Sequence, residues 1–185
     1  MLLLASTSYS ATTSPHPTAR EFLQLPVYCQ AKLDAPGVSD SDKERWKRFM
    51  GENWYPMTHF CLGLNFANRA NQNITDVVAK RFNLQSAVGE FKYMIDRMTP
   101  DWPYRGKILV ENGRILERQG RRMDAIAQYR RAIAIQPEYV RAYTALSRMF
   151  EKQGDVDTAR QVLLDGLQQS PDSKSLKRRL GALGQ

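Results

Sequence analysis

Glu117-Arg118-Gln119-Gly120 and Glu151-Lys152-Gln153-Gly154 lie 34 residues apart and carry the same order of acid, base, amide and glycine. At that spacing the match continues: Ala125 falls on Ala159, Tyr129 on Leu163, Ala132 on Gly166 and Pro137 on Pro171. Self-similarity at a fixed period of this length marks a stacked repeat. Each unit reads as two helices joined by a tight turn. Gly120 and Gly154 supply the left-handed conformation that ends the first helix, and Pro137 and Pro171 interrupt the second. Small residues, Gly113 with Ala125 and Ser147 with Ala159, let the two helices of a unit approach closely, while Ala132 and Gly166 leave room for the next unit. A lone hairpin cannot cover its own apolar face, so such units stack about three or more together beneath a polar cap.

This pattern resembles the tetratricopeptide repeat (TPR) over residues 106–184. With Gly106 and Val140 as first positions, the large positions four, seven, eleven and twenty-four hold Leu109, Asn112, Leu116 and Tyr129, then Tyr143, Leu146, Phe150 and Leu163. The resemblance implies an all-α, helical-hairpin solenoid, a right-handed superhelix, that binds proteins or peptides and is not an enzyme. It also implies that positions two, five, nine, twelve and thirteen of each first helix line an inner groove. Those residues are Lys107, Val110, Arg114, Glu117 and Arg118, then Arg141, Thr144, Arg148, Glu151 and Lys152; six are basic and two acidic. The expected partner is a protein or peptide segment with acidic and apolar character. The alternative is that these cations pair with Glu117 and Glu151 along solvated helices. The Lys, Asn and Arg carboxylate clamp of several TPR co-chaperones is not reproduced.

Upstream, His59, Leu62, Gly63 and Phe66 suit positions four, seven, eight and eleven of a divergent unit, and Ala87, Phe91 and Met94 suit positions twenty, twenty-four and twenty-seven. Between Phe66 and Ala87 lie 12 more residues than the motif allows. The groove positions of this unit, Met57, Phe60, Leu64, Ala67 and Asn68, are apolar or neutral, so the groove is expected to run from an apolar to a cationic end. Thr75 is the expected cap of a long helix whose stripe includes Val77, Val78, Phe82, Phe91 and Met98. Further upstream, Pro26 divides Ala19–Leu33, Ala35-Pro36-Gly37 is a stop, and Ser39 or Ser41 caps a helix ending at Gly51 with Trp46 and Phe49 inward. The expected organisation is therefore a disordered lead-in or truncated signal peptide (1–17), an N-terminal helical cap (18–52), a divergent TPR-like hairpin with insertion (53–105), two repeats (106–139 and 140–172) and a capping helix (173–185).

Composition narrows the function classes. The 27 Lys+Arg against 19 Asp+Glu give +8, with 16 of the basic residues after residue 100. A basic helical repeat can serve nucleic acid, but Tyr129, Tyr143 and Phe150 are accounted for as core rather than base-stacking platforms, so nucleic acid is the less favoured partner. No apolar run approaches the roughly 20 residues needed to cross a bilayer. The chain lacks a nucleophile elbow, a Gly-rich phosphate loop and a His-Glu-x-x-His helix. No cofactor is expected, and a four-ligand zinc site would consume His16, His59, Cys29 and Cys61 together. Met1–Ala5 followed by Ser6–Ala11 resembles the tail of an export signal. The expected role is an exported or periplasmic adaptor in envelope assembly, with a pilotin-like pilus or secretion factor as one alternative and a cytoplasmic protein as another. Cys29 and Cys61 accordingly have two readings, a disulfide or two buried thiols.

Overall fold

Proline, glycine and short polar side chains set the helix boundaries. The structure, a computed structural model, describes residues 14–73 and 75–183, and the expected signal-like stretch at residues 1–13 lies outside them. In chain order the helices are α1 (Ala19–Phe22), α2 (Val27–Lys32), α3 (Asp40–Met50), α4 (Met57–Gln72), α5 (Val77–Arg97), α6 (Arg105–Arg118), α7 (Arg122–Ile135), α8 (Val140–Glu151), α9 (Val156–Gln169) and α10 (Lys174–Ala182), with a 3-10 turn at Gly51–Trp54. No strand occurs among the described residues. Pro26 separates α1 from α2, and the Ser39 hydroxyl accepts from the Asp42 amide to start α3.

The two repeats are the hairpins α6–α7 and α8–α9. Gly120 and Gly154 end the first helix of each at φ 78° and 80°, the left-handed region that glycine enters without a steric penalty. Inside the first hairpin, a Cβ added at Gly113 would stand no more than 2.9 Å from three carbons of the Tyr129 ring. Tyr129 is fully buried and has no room to retreat. Gly113→Val should therefore overpack the hairpin and lower stability by roughly 1 to 3 kcal/mol, read by thermal melting. A change at exposed Met123 should be close to neutral; equal melts for the two variants would discard the close-contact account. At the C-terminal end α10 covers the second hairpin with fully buried Leu176, which reaches Gly166 and Tyr143 territory.

The extra residues of the upstream unit lengthen its hairpin. Relative to α6–α7, α4 gains a turn at its end, α5 gains two turns at its start, and the loop gains one residue, which together absorb the insertion. The added turns project past the neighbouring hairpin, so Val77, Val78 and Phe82 are 73%, 80% and 50% exposed, against the expectation that they join the α5 core stripe. The α5 cap is Asp76, whose carboxylate accepts from the Ala79 amide, rather than Thr75. Phe49 also departs from expectation at 56% exposed, whereas Trp46 is half-buried.

The N-terminal segment folds back across α4. Arg69, buried in α4, donates Nε and Nη2 to the two carboxylate oxygens of Glu21 at 2.6 and 3.0 Å, and its guanidinium also reaches the Ser14 and His16 carbonyls at 2.7 and 3.1 Å. Residues 14–17, the end of the expected lead-in, are thus held by α4. The Thr18 hydroxyl and the Glu21 carboxylate close a capping box at α1. One helix later, Cys29 of α2 is bonded to Cys61 of α4, with Cα atoms 5.3 Å apart.

Candidate partner-binding groove

The first helices of the two repeats present their cations on one face. Arg141, Arg148 and Lys152 are exposed, and Lys107, Arg114, Arg118 and Thr144 are half-buried. Arg114, Arg141, Thr144 and Arg148, with Val140 and Ser175, line one hollow of about 430 Å³. The two acidic groove residues are already engaged. Glu117 takes Lys152 at 2.5 Å and the Tyr129 hydroxyl at 3.3 Å, and Glu151 takes Arg179 of α10. Arg141 and Arg148 consequently face the hollow with no carboxylate in ion-pair reach among the described residues, so they are not neutralised by Glu117 and Glu151. The Thr144 hydroxyl turns back to its own helix, donating to the Val140 carbonyl at 3.1 Å.

Sequence reasoning missed Glu111, a position-six residue one turn from Lys107. It binds Arg114 at 2.8 Å and places one negative charge among the groove cations. Its charge also acts on Tyr28, whose hydroxyl is pushed up to about 12, first by burial and then by Glu111. The i, i+3 spacing of Glu111 and Arg114 was a legible signal for this pair.

The expected apolar end of the groove is not open. Met57, Phe60 and Val110 are buried, and only Leu64 of the apolar set retains partial exposure. The cause is the N-terminal cap: Tyr28 of α2 and Trp46 and Met50 of α3 gather over Met57 and Phe60 of α4 and Ile108 of α6. Lys107 donates to the Tyr28 hydroxyl at 2.8 Å, and Arg118 reaches the Ala67 carbonyl at 3.4 Å. Burial lowers the pKa of Arg118, which still leaves a guanidinium cationic at neutral pH. His59 does not form a pair with Cys61; it stacks on Tyr93 and its Nδ1 lies 2.7 Å from Glu90 Oε2, a polar tip on a packed ring. No group of three or more His, Cys, Asp or Glu side chains suited to a metal occurs among the described residues.

Residues 110–174 match the family model described as the tetratricopeptide repeat. This stretch is a pair of TPR units. Among solved structures, the chain is similar to a thermophilic TPR protein of Thermus thermophilus, with a TM-score of 0.62, 19% identity, and 89% of this chain and 77% of that one covered. It is also similar to a double mutant of MamA RS-1, with a TM-score of 0.51, 18% identity, and 89% and 82% covered. Comparison with curated proteins gives no match. The TPR fold, all-α and built as a solenoid, thus extends over most of the chain, and it supports a role in protein–protein interaction. No helix among the described residues is long and apolar enough to cross a membrane.

Proposed function

We propose that this TPR protein is a non-enzymatic adaptor that holds an extended, carboxylate-bearing segment of a partner protein along α6 and α8. The observation that carries the proposal is the hollow in which, among the described residues, Arg141 and Arg148 stand without carboxylate partners beside Arg114. Clustered cations left unpaired on a concave surface attract an anionic segment and orient it, which is the electrostatic half of peptide recognition. The Cys29–Cys61 bond supports placing this work in an oxidising compartment, as for an exported adaptor in envelope assembly.

A fluorescently labelled acidic peptide tests the groove. With Arg141 and Arg148 both changed to Glu, its affinity should fall tenfold or more while the thermal melt stays near wild type, because neither side chain gives up an ion pair. Unchanged affinity would remove the groove as the site.

A further inference from the structure

At the edge of this groove the N-terminal cap closes a cavity over residues of α4 and α6. Its volume is about 150 Å³, and its walls include Tyr28, Trp46, Trp102, Tyr104 and Ile108, with Phe60 behind them. A cavity of about this size is large enough for a benzene-sized group. The rings are in mutual contact: Tyr28 to Trp46 at 5.8 Å, Trp46 to Phe49 at 5.7 Å, Phe49 to Tyr104 at 6.0 Å and Tyr104 to Trp102 at 5.4 Å between centroids. Phe49, half out in water, sits between Trp46 and Tyr104 as part of this arc. A contiguous exposed apolar surface, rather than a single exposed ring, is what marks an interaction site, and Phe49 extends such an arc.

The single charged side chain lining the cavity is Lys107, whose Nζ lies 5.1 Å from the centre of the Tyr28 ring. Lys107 is also the first of the groove cations, one repeat before Arg141. Cavity and basic strip are therefore continuous through one residue. Glu111, the nearby acid, is paired with Arg114 at 2.8 Å.

From this juxtaposition we infer that the aromatic cavity receives one leucine- to phenylalanine-sized side chain of the partner segment, with a neighbouring carboxylate of that segment placed over Lys107. The inference rests on the groove proposal and adds the anchor to it. The apolar half of recognition then draws on α2, α3 and the loop before α6 as well as on α4 and Ile108 of α6, while Arg141 and Arg148 take the acidic remainder. A cavity of this size accepts one side chain, which fixes the position of the segment along the groove.

The test uses the full chain and two acidic peptides that are identical except for a central leucine in one and alanine in the other. The leucine peptide should bind at least tenfold tighter and change the emission of Trp46 and Trp102. Its methyl groups should show NMR contacts to the cavity rings. Ile108→Phe, which fills the cavity, should erase the difference between the two peptides. If that variant folds poorly, Phe49→Ser, made at a half-exposed ring, should still reduce the leucine gain severalfold. Equal binding of the two peptides by the wild-type chain would overturn the cavity while leaving the groove intact. A leucine gain that survives in folded variants would place the anchor elsewhere and overturn it as well. Binding of neither peptide would overturn both proposals. Phe49-dependent self-association in sedimentation would identify a second copy as the occupant and overturn the partner-segment assignment.

Discussion

Replacing Glu21 with alanine should release residues 14–22 from α4 and cost about 3 to 5 kcal/mol, because it leaves the buried Arg69 guanidinium without its counter-charge. The two Arg69 bonds to Glu21 are a fork-to-fork pair, and the Ser14 and His16 carbonyls that remain carry no formal charge. The same pair gives a pH dependence. Arg69 first, and the Thr18 bonds after it, hold the Glu21 carboxyl down at about 2 from its ordinary 4.5. A depressed carboxyl pKa contributes stability that is complete above the unfolded value and is lost as the pH falls through the folded one. This contribution should therefore disappear progressively from about pH 4.5 to about pH 2. Melts across this range, with hydrogen exchange on residues 18–22, measure it. A Glu21→Ala protein that melts like wild type at neutral pH, with the segment still protected, would show that the pair does not hold the segment.

Breaking the Cys29–Cys61 bond should cost about as much. Its sequence separation of 32 residues corresponds to about 3 to 4 kcal/mol in the chain-entropy account. For a chain of this length that is on the order of 10 °C in melting temperature. Melting of Cys29→Ala/Cys61→Ala beside wild type, with and without reductant, reads the effect. Thiol titration of the native protein in denaturant should find none free. Two titratable thiols in protein taken from its own compartment would remove the bond, and with it the support for an oxidising environment.

What could be read before the structure was local or periodic. The 34-residue register located both repeats, because close helix approach at Gly113 and Ser147 and left-handed turns at Gly120 and Gly154 each demand a residue type at a fixed offset. Ser39 and Pro26 acted where their chemistry said they would. The α5 stripe was legible as a helix but not as a buried one: periodicity reports an apolar face and is silent on whether a neighbour is long enough to cover it, so Val77, Val78 and Phe82 emerged in solvent. The candidate groove was half legible. Position rules brought Arg114, Arg141 and Arg148 to one hollow, but they placed Met57 and Phe60 on an open surface because nothing local in Tyr28 or Trp46 says that they lie over α4. Glu21 and Arg69, 48 residues apart, share no pattern that announces their meeting.

The fold-back of the N-terminal segment also sets an order of events during synthesis. Each helical hairpin closes contacts between neighbouring stretches of chain, the kind that form early. Glu21, by contrast, must wait for Arg69, which is translated 48 residues later, a delay of roughly 2 to 10 s at ordinary elongation rates. The earlier-translated member of this pair is thus fixed only once the later one has emerged. Through that interval Phe22 and Leu25 carry uncovered apolar surface and Cys29 has no native partner, so the nascent chain is open to chaperones, and to wrong thiol pairing, in a part that ends up tied by both an ion pair and a disulfide.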